Sequence, residues 1–87
     1  METSLHKNFK KQFSKLPPKV QRQFFERVEL FLKDKFNPIL NNHSVESAYP
    51  GWRSINITGD YRALYESRAE NFLVFMKIGT HSELYGW

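Results

Sequence analysis

The segment WRSINITGDYRALYESRAENFLVFMKI, residues 52–78, decides the fold of this chain. Its first part alternates between two sets of side chains, and the tight turn TGD at 58–60 leads into a second alternating run, YRALYES. The turn SRAEN then precedes FLVFMKI, which is apolar on both faces. Period-two runs that are separated by short turns predict three antiparallel strands in a meander.

Two amphipathic helices are predicted upstream of these strands. Residues 8–16 place Phe9, Phe13 and Leu16 at positions i, i+4 and i+7, which lie on one side of a helix. Pro17 ends that pattern, and a second apolar face follows over residues 18–35. The members of the second face are Val20, Phe24, Phe25, Val28, Leu30, Phe31 and Leu32. Two helices joined by a proline break form an antiparallel hairpin.

The remaining segments complete the predicted order of elements. Residues 3–8 are predicted as a short edge strand, and residues 37–51, with their Asn, Ser, Pro and Gly, as a long connection. The result is an α+β fold of order β-α-α-β-β-β, in which a small antiparallel sheet carries the helical hairpin on one face. Residues 1–87 form one domain, because domains commonly run to about 100–150 residues.

Composition narrows the class of protein. The chain has no cysteine, which suits the reducing cytosol and leaves no disulfide or thiolate metal site. Its N-terminal residues lack the apolar core of a signal peptide, and the run from Phe72 to Met76 is far shorter than the roughly 20 residues of a membrane helix. We therefore expect a cytoplasmic protein without a membrane partner.

The positive charge is concentrated in the first half of the chain. The formal net charge is +4, and residues 1–38 carry nine Lys and Arg against four Asp and Glu. A basic helical half fits contact with phosphates or an acidic partner, and a solvated lysine-rich surface explains it equally well. The candidate residues for RNA or ribosome binding are Lys10, Lys11, Lys15, Lys19, Arg53 and Tyr61.

Polar side chains gather where the middle strand starts and the last strand ends. These two ends are neighbours in an antiparallel pair, so Asp60, Arg62 and His81 can lie together, with Tyr85 close behind. We predict that GTHSELYGW, residues 79–87, is a strand that leaves the core and enters a site. Each residue alone has an ordinary explanation, in a turn, at a strand end or as a packed C-terminal aromatic; their convergence favours a site.

This set of side chains suits cleavage of RNA by its own 2′-hydroxyl group. Histidine can accept and return protons at neutral pH, and Arg62 offers a permanent charge that matches phosphate oxygens. Tyr85 and Tyr61 offer surfaces on which a base can stack. The reaction needs no cofactor, and the sequence holds no HxxxH motif or other convincing metal set.

Four segments resemble the RelE/ParE superfamily of bacterial toxins, and most closely the YafQ-like branch of the RelE mRNA interferases. They are FKKQFSKLPPKVQ, NNHSV, GWRSINITGDYRALYE and IGTHSELYG, which together span nearly the whole chain. The resemblance implies a β-α-α-β-β-β fold and cleavage of mRNA in the ribosomal A site. It also implies that a small antitoxin protein wraps and neutralises the chain.

The resemblance implies a set of catalytic residues. The family's loop histidine falls on His43, its turn aspartate on Asp60, its strand arginine on Arg62, the histidine of its GTH motif on His81, and its near-terminal aromatic on Tyr85. YafQ-like members often carry a further histidine in the strand before the turn, where this chain has asparagine at position 56. Asparagine cannot exchange a proton, so the assignment of the general acid and base stays open.

Three functions are compatible with this sequence. The first is a type II toxin that acts as a ribosome-dependent, metal-independent endoribonuclease, with its antitoxin, the ribosome and mRNA as partners. The second is a non-nucleolytic toxin that poisons gyrase, as ParE-branch members do, and the third is a module that binds RNA or a partner. Fold alone does not choose among them, whereas His81, Arg62 and Tyr85 favour the nuclease.

Overall fold

A five-stranded mixed sheet is the frame of the molecule in the computed structural model, which describes residues 1–86. The strands lie in the order β1-β5-β4-β3-β2. Their bounds are β1 Glu2–Leu5, β2 His43–Ser44, β3 Trp52–Asn56, β4 Tyr61–Ala69 and β5 Phe72–Thr80. The predicted α+β fold and the antiparallel meander of the last three strands are confirmed.

The first strand makes the sheet mixed rather than wholly antiparallel. β1 pairs with β5 in parallel, with Glu2 opposite Phe72 and Leu5 opposite Phe75. Parallel pairing requires a connection that crosses a face of the sheet, and the two helices that follow β1 provide it. The prediction that this segment forms an edge strand was correct, and the direction of the strand follows from this crossover.

The helical hairpin consists of α1, Lys7–Ser14, and α2, Pro18–Lys33, each ending about two residues before its predicted end. It covers one face of the sheet through a cluster of aromatic rings. The Phe24 ring centroid lies 5.1 Å from that of Phe9 and 5.2 Å from that of Phe75 on β5. Two members of the predicted apolar face, Phe25 and Leu32, are exposed instead, because they lie beyond the arc of α2 that meets the sheet.

Two segments that the sequence predicts as irregular or extended chain contain regular elements instead. The connection 37–51 contains a 3₁₀ turn, Pro38–Leu40, and the strand β2. The C-terminal segment is a strand only to Thr80, after which His81–Tyr85 form a short helix, α3. Within residues 1–86 no helix is long and apolar enough to span a membrane. The sequence interpretation of Trp87 concerns a residue outside those described.

Truncation of Phe24 tests the assignment of the helix face. Phe24 is 1% exposed and its neighbour Phe25 is 55% exposed. We expect Phe24→Ala to lower the free energy of unfolding by about 3–5 kcal/mol, as core aromatic truncations do, measured by urea unfolding. Phe25→Ala is the matched control and should cost about 1 kcal/mol or less. Equal losses for the two variants would contradict the assignment.

Candidate functional site

A cavity of about 270 Å³ lies on the face of the sheet opposite the helical hairpin. The two faces separate along β4, where Ala63 and Tyr65 join the helix-side core and Leu64 joins a second, smaller cluster with Val45 and Leu84. The residues that line this site cavity are His43, Ser44, Val45, Ser47, Ala48, Ser54, Arg62, His81 and Tyr85. Four of the five predicted catalytic residues are therefore brought together.

The strand register explains this convergence. Arg62 pairs with Gly79 and Tyr61 with Thr80, so the residue after Thr80 lies beside the β3–β4 turn. The backbone N–H of His81 donates to the carbonyl oxygen of Asp60 at 3.3 Å. His43 enters from the other side of the cavity on β2, where it pairs with Ser54 of β3.

A capping box turns the chain from β5 into α3. The Thr80 hydroxyl accepts a hydrogen bond from the Glu83 N–H at 3.2 Å, and the Glu83 carboxylate accepts from the Thr80 N–H at 2.7 Å. The motif GTHSE is thus a helix start, and it places His81 in the first turn. His81 and Tyr85 are four residues apart on this helix, and their ring centroids lie 4.7 Å apart.

Arg62 is anchored at the cavity by the β3–β4 turn. Its Nη1 donates to the carbonyl oxygens of Thr58 and Tyr61, each at 3.0 Å, and its Nη2 donates to that of Gly59 at 3.3 Å. Its Nε–H and second Nη2–H have no acceptor in residues 1–86, and no carboxylate there pairs with it. These two N–H groups form a fork that matches two phosphate oxygens.

His43 is exposed at the cavity rim, and its ring orientation is set by one contact. Its Nδ1 lies 2.7 Å from the carbonyl oxygen of Asn41, a residue with a left-handed φ of 45°. A carbonyl oxygen only accepts hydrogen bonds, so Nδ1 carries the proton. Nε2 is therefore the ring nitrogen that holds the lone pair in the neutral imidazole.

Tyr85 keeps its phenolic proton in this environment. Burial raises the pKa of Tyr85 above its ordinary value of 10.0, and the nearby Tyr49 adds to the rise, while Ser54 and the Arg62 charge oppose it. The phenol is consequently neutral at physiological pH and can donate a hydrogen bond.

Sequence reasoning missed the serines of the cavity. Ser54 is 1% exposed, and its hydroxyl oxygen is buried without a well-formed hydrogen bond within residues 1–86. Ser44 and Ser47 line the same cavity from β2 and the following loop. The alternation of β3 places Ser54 on the face opposite Ile55, and that was the signal by which it could have been found.

The carboxylate of Asp60 is not part of the site cavity. Asp60 instead lines a groove of about 620 Å³ between α2 and the β3–β4 turn, on the helix side of the sheet. Asp60 meets His81 through a backbone hydrogen bond. No three His, Asp or Glu side chains of the described chain are grouped in a way that could hold a metal ion.

The predicted RNA-binding residues lie on the helix side as well. Tyr61 and Lys19 line the same groove as Asp60, and Tyr61 also lines an adjoining groove with Lys11 and Lys15. Lys10 is exposed on α1.

Arg53, another predicted RNA-binding residue, is engaged within the chain through its side chain. Its Nε donates to the side-chain oxygen of Asn42 at 2.9 Å, and its guanidinium lies 5.7 Å from the centre of the Phe36 ring. It lines a cavity on the helix side of the sheet, on the face opposite the site cavity.

A sequence family model places this chain among the toxins of type II toxin–antitoxin systems. The family model described as the ParE toxin of type II toxin–antitoxin system, parDE, matches residues 4–85. This chain therefore belongs to the ParE toxin family. No curated protein sequence matches it.

Solved structures of similar fold cover almost the whole chain. YafQ from E. coli strain BL21(DE3) has 17% sequence identity and a TM-score of 0.80, with 98% of each chain covered. YafQ in the E. coli DinJ–YafQ complex has 18% identity and a TM-score of 0.76, again with 98% of each covered. The RelB–RelE antitoxin–toxin complex from Methanococcus jannaschii has 17% identity and a TM-score of 0.73, with 95% of each covered. Likeness at this level of identity establishes the shared fold.

Ionisation of Tyr85 provides a test of the cavity's environment. Because its pKa is raised, the folded chain holds the phenolic proton more tightly than the unfolded chain, and this contribution to stability is lost as pH rises past 10. The absorbance change at 295 nm that disappears in Tyr85→Phe should have its midpoint above pH 10. A midpoint below pH 10 would contradict the described burial.

Proposed function

We propose that this toxin is a ribosome-dependent endoribonuclease that cleaves mRNA through attack of the 2′-hydroxyl on the adjacent phosphate. The observation that carries the proposal is the meeting of His43, Arg62, His81 and Tyr85 around one cavity. Its volume of about 270 Å³ lies near the lower end of the range of about 300–1,000 Å³ for ligand pockets. It suits one nucleotide of an extended strand rather than a folded RNA.

The two histidines are the proposed proton carriers. One accepts the proton of the 2′-hydroxyl as it attacks phosphorus, and the other gives a proton to the 5′-oxygen that leaves. His43 and His81 line the site cavity, whereas Asp60 lines the groove on the opposite face and not this cavity. We therefore assign the acid–base pair to His43 and His81, and assign Asp60 to the backbone contact that places His81.

Arg62 is proposed to stabilise the negative charge that develops on the phosphate, and Tyr85 to bind the substrate. The free fork of Arg62 can bind two non-bridging oxygens and stabilise the negative charge of the pentacoordinate phosphorane. The neutral phenol of Tyr85 can hydrogen-bond to the substrate, and its ring can stack on a base. These roles require no metal ion or other cofactor.

The proposed partners follow from the family and from this reaction. The DinJ–YafQ and RelB–RelE complexes hold proteins of this fold together with a second protein, so we propose a cognate antitoxin for this chain. Cleavage on translating ribosomes makes the ribosome and mRNA the other partners, and the cytoplasm the place of action.

The lysines of the helical hairpin are proposed to hold RNA at a distance from the cut. Lys11, Lys15 and Lys19 are exposed around two grooves that share Tyr61. Cations spaced along such grooves attract a phosphate backbone, and Tyr61 offers a ring between them for stacking. Lys10 adds to the same positive field from α1.

A toxin that does not cleave RNA is the second candidate, and the match to the ParE toxin family favours it. Such a toxin would block gyrase or another partner through its surface and would not need proton transfer. Loss of activity on removal of His81 distinguishes the two candidates, since only the nuclease depends on that imidazole.

Substitution of the cavity residues tests the nuclease. We expect His81→Ala to lower the rate of mRNA cleavage on translating ribosomes by about 10²–10⁴-fold, as loss of a general acid or base does. Arg62→Lys keeps the charge but loses the fork, and should lower it by a comparable factor. Cleavage is mapped by primer extension, with circular dichroism and antitoxin binding as tests of folding.

Ser82→Ala is the matched control, because Ser82 lies on α3 beside His81 but outside the cavity lining. It should cleave at the wild-type rate. Tyr85→Phe should be milder than Tyr85→Ala if stacking dominates, and equally severe if the hydroxyl carries a proton. Full cleavage by folded His81→Ala would refute the catalytic assignment.

Charge reversal on the hairpin tests the RNA-binding surface. Lys15→Glu with Lys19→Glu should weaken ribosome binding and reduce the slope of log K against log salt, because each phosphate contact to a single strand contributes about 0.7 to that slope. Lys33→Glu with Lys35→Glu makes the same change in charge at the far end of α2 and should leave the slope nearly unaltered. Equal slopes in the two double variants would assign the lysines to a solvated surface.

A further inference from the structure

Helix α3 needs an external partner at its C-terminal end. It has five residues, and the last carbonyl groups of a helix have no partner within it. The Gly86 N–H donates to the carbonyl oxygen of Ser82 at 2.8 Å and so satisfies one of these carbonyl groups. The carbonyl oxygen of Leu84 accepts instead from the hydroxyl group of Tyr49, which lies in the loop between β2 and β3.

The ring of Tyr49 is fixed on three sides. It stacks on Trp52 with the centroids 5.0 Å apart and the planes 4° from parallel. The Tyr85 ring meets it edge to face at 6.0 Å, and the Lys77 ammonium lies 5.3 Å from its centre. The hydroxyl group is thereby aimed at α3 by a side chain with little freedom to turn away.

The backbone of Tyr49 is hydrogen-bonded within the loop that forms another part of the cavity wall. Its N–H donates to the carbonyl oxygen of Val45 at 2.8 Å, and its own carbonyl oxygen accepts from the Trp52 N–H at 3.0 Å. Val45, together with Ser47 and Ala48 of this loop, lines the site cavity. Tyr49 itself does not line it.

We infer that Tyr49 is a positioning residue for the cavity, an inference that rests on the proposed nuclease function. Its hydroxyl group ties α3, which carries His81 and Tyr85, to the loop that forms the opposite wall. This tie sets the distance between the His81 imidazole and the groups on β2 and β4. A displacement of about 1 Å in such a site can lower the rate about 10²-fold, even when it arises far from the chemistry.

Tyr49→Phe tests the inference because it removes the hydroxyl group and keeps the ring with its stacking contacts. We expect kcat for mRNA cleavage to fall by about 10²-fold with KM unchanged, since the tie acts on the alignment of reacting groups rather than on RNA binding. The urea midpoint should stay close to that of the wild type. The carbonyl ¹³C resonance of Leu84 should shift, and the Gly86 amide should exchange faster than it does in the wild type.

Tyr65→Phe is the matched control. The Tyr65 hydroxyl group accepts from the side-chain nitrogen of Asn42 at 2.9 Å on the helix side of the sheet, so its loss leaves α3 untouched. This variant should keep the wild-type kcat and the Leu84 resonance.

The outcomes distinguish failure of the positioning role from failure of the proposed nuclease function. If the wild type cleaves mRNA, a wild-type kcat in Tyr49→Phe overturns the positioning role, and so does a fall in kcat matched by an equal fall in Tyr65→Phe. If the wild type does not cleave, the nuclease proposal fails. In that case the Leu84 resonance and the Gly86 exchange rate test the hydrogen bond from Tyr49 to Leu84 by themselves. Values in Tyr49→Phe that are unchanged from the wild type overturn it.

Discussion

The antiparallel pairing of β4 with β5 is the constraint on which the rest of the structure depends. It sets Arg62 opposite Gly79, so the chain leaves the sheet beside the β3–β4 turn and nowhere else. It also aligns Ala63 and Tyr65 with the helical hairpin while Leu64 faces the opposite side. A slip of one residue would exchange these faces, moving the arginine into the aromatic core and the apolar side chains into the cavity.

The sequence was most informative where local rules determine geometry. The alternation of β3 and β4 and the short TGD turn predicted the meander, and the meander predicted that Arg62 and His81 would meet. It was less informative about side-chain direction. Asp60 lies in the same turn, but it is exposed and lines the groove beside α2, because no periodic signal governs the direction of a turn residue.

The helix α3 was missed although its sequence signal was present. Residues 80–83 read Thr-His-Ser-Glu, the pattern of a capping box, but the apolar strand before them suggested a continued extended chain. The parallel direction of β1 and the tie from Tyr49 to Leu84 could not be predicted in this way. Both depend on contacts between segments that are distant in sequence, and a single sequence carries no trace of them.

The sheet separates two apolar clusters of unequal size, and this division has a practical consequence. Twelve buried residues lie in the cluster under the helices, whereas three lie in the cluster beside the cavity. Most of the cohesion of the domain is therefore independent of the face that holds the site cavity. Under the proposed nuclease function, changes confined to the cavity should give harmless but well-folded forms of this toxin. Such forms could be produced in quantity in living cells and used as bait to isolate the neutralising protein from its natural host.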